Sequence, residues 1–162
     1  MSRHVISAAL MRQHREIDSA ISLFIKQLEA GSMQTELMAA TLEALRRHIY
    51  LEELFLFPPI RDAGIVMPIV GMLREHGQLW ATMESLAELL TDPEDSPQRK
   101  AACNQLLDQL HTHSFSEEPA IYLHANYELP ASTNAELARF AATGRLPEGW
   151  KCQEAKGGVS TQ

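Results

Sequence analysis

Cysteine is scarce in this chain. Cys103 and Cys152 are the only two in 162 residues, and they are too far apart for a C-x-x-C pair. Two cysteines in a chain this long do not make a disulfide framework. Long apolar runs are missing too, and none approaches the roughly 18 residues that a membrane span needs. The first ten residues carry Arg3 but no long apolar core and no cleavage site, so no signal peptide is expected. Basic residues are the minority, 14 Lys and Arg against 21 Asp and Glu, for a net charge of −7. Without a basic run to track phosphates, nucleic acid is not expected as a partner. No stretch alternates apolar and polar residues as a half-buried strand would. The expectation is a soluble, cytoplasmic, all-α protein with no membrane partner.

What the chain has is helical periodicity. Leu10, His14, Ile17, Ile21, Phe24 and Leu28 form one apolar stripe, stopped at Gly31. Met38, Thr41, Leu45, His48, Glu52 and Phe55 form a second, with Pro58-Pro59 as its expected end. Ile69, Met72, His76, Leu79, Met83, Leu86 and Leu90 form a third, in which Gly71 and Gly77 each cost about 1 kcal/mol relative to Ala. Ser96-Pro97 opens a fourth, carrying Cys103, Leu106, Leu110, His113, Glu117 and Ala120, with Pro119 expected to loosen it. Thr133 to Glu136 fits a capping box and predicts a short fifth helix ending at Gly144. The predicted architecture is an up-down-up-down four-helix bundle with that fifth helix, over residues 1–144. Residues 145–162 are predicted to be a loop-like tail, partly disordered from Gly157 onward.

Two stretches share one phrase. His48 to Glu53 and His113 to Glu118 both read H-x-x-x-E-E. Positions i and i+4 lie one helical turn apart on one face, about 6 Å along the axis. Each phrase therefore aims an imidazole and a carboxylate at the same neighbour. Each is preceded by a lone inner His on the helix before it, His14 and His76. The chain is thus an internal repeat of two helical hairpins.

Six residues result on inner faces: His14, His48, Glu52, His76, His113 and Glu117. Bare imidazoles and carboxylates converging in a core are costly. Two divalent ions resolve the cost, since imidazole suits Fe, Zn, Cu and Ni and carboxylates bridge. His14 and His48 would serve one ion, His76 and His113 the other, with Glu52 and Glu117 shared.

With these residues the chain resembles the hemerythrin-like, or hemerythrin HHE cation-binding, proteins, over roughly residues 5 to 125. The resemblance implies a non-haem di-iron centre with an oxo or hydroxo bridge, though other divalent metals suit such ligands. It implies O₂, NO or peroxide as the small ligand. It also departs from the oxygen carriers. They have a further His one turn before the third-helix His, where this chain has Met72, and a longer step from the last His to a carboxylate, which is Asp. An O₂- or NO-binding protein is the first reading. An enzyme of peroxide or NO detoxification or iron-centre repair is the second, and an iron storage or sensing module the third. Histidine-rich ligation favours reversible binding, and no Glu-x-x-His motif lies on the inner stripes, so a dedicated enzyme is the less favoured reading.

Other residues are weaker candidates. Asp18, Glu53 and Glu118 are candidates to orient imidazoles from outside the ligand ring, against a solvated surface role. Phe55, Met72, Leu73 and Trp80 are candidates to line the metal pocket, against a plain core role. Tyr50 and Tyr122 are within sequence reach of the site without a settled place. Cys103 reads as a small core residue, and Cys152 as an inert tail thiol.

Overall fold

A computed structural model describes residues 4–92 and 96–157. All its regular structure is helical, and no strand occurs among the described residues. Helix α1 spans His4–Glu29 and α2 spans Thr35–Leu51. A π-helical turn, Glu52–Leu56, joins α2 to the short α3, Phe57–Asp62. Helix α4 spans Met67–Thr91 and α5 spans Pro97–Glu117. A second π-helical turn, Glu118–Tyr122, leads into α6, Leu123–Glu128. Helices α7, Ala131–Thr143, and α8, Gln153–Gly157, follow.

The four long helices neighbour one another in a ring: α1 touches α2 and α5, and α4 touches α2 and α5. Local chemistry sets their ends. Gly31 turns left-handed at φ 83°, and the Ser32 N–H donates to the Gln27 carbonyl at 2.8 Å, closing α1. Ser96 caps α5, its Oγ accepting from the Gln98 N–H at 3.2 Å, with Pro97 in the first turn. The buried Arg99 donates to the Leu89 and Asp92 carbonyls, satisfying the end of α4.

The apolar stripes do not meet in one continuous core. Ile6, Leu10, Leu51, Leu56, Phe57, Ile69, Met72, Leu73 and Ile121 gather in one cluster. Ile17, Ile21, Phe24, Leu42, Leu45, Leu79, Met83, Leu86, Leu106 and Leu110 gather in another. Along each long helix the inner His falls between residues of the two clusters. The polar residues thus form a layer with apolar packing on both sides.

Three expectations need correction. Pro58-Pro59 does not end the second helical stretch. The π-helical turn before them frees the carbonyls they cannot reach, and both prolines sit in the first turn of α3, where a missing N–H costs nothing. Helix α7 begins at Ala131 behind Pro130, so Thr133 to Glu136 is already helical and forms no capping box. The tail is not simply loop. Cys152 is fully buried, Trp150 packs on Trp80 and Tyr50, and α8 lies against α4. The disorder expected from Gly157 onward falls, for residues 158–162, outside the described residues.

Candidate metal centre

The H-x-x-x-E spacing works locally as the helical rise dictates. His48 Nε2 lies 3.4 Å from Glu52 Oε2, and His113 Nε2 lies 3.3 Å from Glu117 Oε1. Packing of the hairpins then adds the lone imidazoles. His76 Nε2 approaches Glu52 Oε1 at 3.1 Å, and His14 Nε2 approaches Glu117 Oε1 at 3.2 Å. All six residues are buried, both carboxylates completely.

The six form two overlapping clusters. His14, His48, Glu52 and Glu117 bring ligand atoms within 4.8 Å of one another, and so do His76, His113, Glu52 and Glu117. Glu52 spans both with different oxygens, Oε2 toward His48 and Oε1 toward His76.

Each imidazole is held from behind by an acceptor on another element. His48 Nδ1 donates to Gln13 Oε1 at 2.6 Å, and His113 Nδ1 to Glu75 Oε1 at 2.7 Å. His76 Nδ1 donates to Glu53 Oε2 at 2.7 Å, and His14 Nδ1 to Glu118 Oε2 at 3.2 Å. Four acceptors place the proton of the neutral ring on Nδ1 and leave the Nε2 lone pair facing inward. This is the arrangement of a metal-ligating His with its outer nitrogen tied down.

The donor set fits cations. Both Glu117 oxygens and His113 Nε2 are buried without a hydrogen-bond partner. Taking a carboxylate charge out of water into a core costs on the order of several kcal/mol. Imidazole nitrogen with carboxylate oxygen suits iron, zinc or manganese.

The clusters differ at one atom. The Tyr122 hydroxyl donates to Glu52 Oε2 at 2.6 Å and lies 2.9 Å from His14 Nε2 and 3.2 Å from His48 Nε2. It sits amid the ligand atoms of the first cluster. Tyr122 stacks on His14, centroids 5.3 Å apart at 23°. Its repeat equivalent is Phe57, which stacks on His76 at 5.4 Å and 17°. Both follow their glutamate by five residues, and the π-helical turn brings that spacing round to the glutamate's own face.

The same turn decides which aromatic ring faces inward. Phe55, expected inward three residues after Glu52, packs outward on Tyr50 and Phe140, and Phe57 takes the inner place. Met72 and Leu73 are buried in the same cluster as Phe57. Trp80 lies a turn beyond His76, edge-on to Trp150 at 5.5 Å, its Nε1 donating to Glu84. Glu53 and Glu118 accept from the His76 and His14 Nδ1 atoms, whereas Asp18 lies 3.3 Å from His111 Nε2. Gln13, Glu75 and Tyr122 are the participants that stripe periodicity passed over. Their signal was the shared offset in both halves: 13 and 75 precede the lone His, and 57 and 122 follow the glutamate.

A match to the hemerythrin HHE cation-binding domain covers residues 5–123. The chain belongs to the hemerythrin family. No curated protein and no solved structure matches it. In hemerythrin terms the matched region holds both H-x-x-x-E-E phrases, and α7 and α8 lie beyond it.

Charge in this hemerythrin-family site is tightly coupled. Burial raises the Glu52 pKa, but the His48 and His76 imidazoles outweigh it and hold the group well below its ordinary 4.5. Glu117 is likewise lowered, as His113 and His14 outweigh burial and the Glu52 charge. Burial lowers the imidazoles, yet neighbouring carboxylates raise His14, His76 and His113 above 6.5. The two carboxylates stabilise the fold above pH 4.5, and that share is lost as pH falls through their folded values. The three imidazoles contribute fully below pH 6.5, and their share is lost as pH rises through their folded values. Chelator-treated protein should therefore have its highest thermal midpoint between about pH 4.5 and 6.5. A midpoint that climbs steadily to alkaline pH would contradict the coupling.

Proposed function

We propose that this hemerythrin-family chain is a non-haem di-iron protein that binds O₂ or a related diatomic such as NO. One observation carries the reading: four buried imidazoles, each with Nδ1 tied to an outer acceptor and Nε2 turned toward two shared carboxylates. His14 and His48 would hold one ion and His76 and His113 the other, with Glu52 and Glu117 available to both. Iron bound there would supply electrons to O₂ or bind NO. Read as a bundle, α1, α2, α4 and α5 run up-down-up-down, so that each contributes one His to the central layer.

The protein's own residues assign the sides. Tyr122 Oη offers a hydroxyl to the His14 and His48 side and holds a proton against Glu52. Burial first, then the Glu117 and Glu52 charges, push its pKa well above 10, so the proton stays. The His76 and His113 side has Phe57 at the equivalent place and no hydroxyl there. The exogenous ligand belongs on the Phe57 side, where a ring excludes water without supplying a competing donor.

The test is optical. Anaerobically Fe(II)-loaded protein should gain a charge-transfer absorption on exposure to O₂ and lose it on deoxygenation, over repeated cycles. Oxidation on first exposure with no return would overturn reversible binding and move the reading to peroxide or NO turnover.

A further inference from the structure

The stretch after α7 lies outside the matched family region, yet it reaches a residue that holds a proposed metal ligand. Glu53 has two oxygens and two partners. Oε2 accepts from His76 Nδ1 at 2.7 Å, and Oε1 accepts from the backbone N–H of Gln153 at 2.9 Å. The amide that holds Glu53 is the first of α8.

Three features hold that amide in place. Cys152, next to it, is fully buried in the apolar cluster beside α4. Trp150 stands edge-on to both Trp80, at 5.5 Å, and Tyr50, at 5.0 Å. Gly77, directly after His76, makes room: a β-carbon there would lie 2.7 Å from Glu154 Cβ. A glycine inside α4 costs about 1 kcal/mol of helix stability, and the close approach of α8 is its structural reason.

Among the described residues, the glutamate of the other half of the repeat has no such backing. Glu118, the equivalent of Glu53, reaches His14 Nδ1 at the longer 3.2 Å, and its side chain is 28% exposed against 5% for Glu53.

We propose that residues 145–157 form a strap that positions one metal ligand, the Gln153 amide fixing Glu53 and Glu53 fixing the His76 ring. The inference rests on the metal-binding reading above and adds an asymmetry to it. The strap secures the ion on the His76 side, which is also the side assigned to the exogenous ligand. Detaching it would release that ion while sparing the one held by His14 and His48. Glu53 and Gln153 are positioning residues, since neither faces the inner clusters.

Gln153→Pro tests this with little else disturbed. Proline suits the first position of a helix and removes the N–H that Glu53 accepts from. Gly77→Ala is the second variant, pushing α8 off from the other side while strengthening α4. Full-length protein loaded with Zn(II) or Fe(II) would be titrated against a competing chelator. Both variants should release one of two ions about 10–100-fold more readily than wild type, the usual effect of losing an outer partner of a ligating His. Retention of both ions at wild-type affinity, or equal weakening of the two, would overturn the strap.

A metal-free measurement separates this from the dinuclear reading. In chelator-treated wild type, the His76 Nδ1 proton should appear by NMR as a hydrogen-bonded, exchange-protected signal. Gln153→Pro should lose that protection, and unchanged protection overturns the strap whatever the metal content. Wild type that takes up no ions would fail the dinuclear reading, while this signal would still decide the strap.

Discussion

Glu52→Gln and Glu117→Gln should each abolish paired occupancy, leaving at most one ion per chain. Glutamine keeps the length, volume and helix preference of glutamate, so the helices should persist. What it removes is charge. Two divalent ions roughly 4 Å apart repel by on the order of 15 kcal/mol even at an effective dielectric of 20. Two carboxylates are all the anionic charge the inner ring supplies, because its other four members are imidazoles. Halving that charge leaves the second ion unsupported. The loss should be similar for the two positions, since they are repeat equivalents. Glu53→Gln should be milder, lowering affinity by about 10–100-fold without emptying both positions. Ion counts by elemental analysis after anaerobic loading would check each case. Two ions retained in Glu52→Gln would show that this carboxylate is not shared.

Phe57→Tyr should abolish the optical response to O₂ and NO while keeping both ions. Phe57 and Tyr122 stack on His76 and His14 with nearly the same geometry, 5.4 Å and 17° against 5.3 Å and 23°. A hydroxyl added to Phe57 would enter the second cluster as Tyr122 Oη enters the first. It would meet the Glu117 oxygens and His113 Nε2, which have no hydrogen-bond partner. Satisfying one of these should raise metal-free stability by about 1 kcal/mol. The same hydroxyl would close the position assigned to the exogenous ligand. An undiminished optical response with two ions bound would place that ligand elsewhere. Tyr122→Phe gives the opposite control, taking the donor from Glu52 Oε2 and opening the first cluster.

The six inner residues were legible in the sequence because two spacings suffice to place them. H-x-x-x-E fixes His and Glu on one face, and apolar neighbours three and four residues away fix which face turns inward. Gln13 and Glu75 were not legible that way. Each precedes an inner His by one residue, about 100° around its helix, and so leaves the stripe. Their long side chains reach sideways to the imidazole of the next helix, which periodicity within one helix does not report. Tyr122 and Phe57 were hidden by the π-helical turns. At α-helical spacing a residue five beyond a glutamate points away, and Phe55 is the inward expectation. The turns carry one extra residue per turn, which rotates Phe55 out and Phe57 in. The prolines, Pro58-Pro59 just after the first turn and Pro119 within the second, were a signal of irregular backbone, read for Pro58-Pro59 as an end and for Pro119 as a kink. The strap was invisible because its anchors, Trp150 and Cys152, are single residues in a polar stretch with no periodicity.

One chain should hold two ions through two shared carboxylates. Elemental analysis of wild-type protein, loaded anaerobically with Fe(II) and freed of excess metal, tests it most directly. Two iron ions per chain are expected. A consistent zero or one would contradict it.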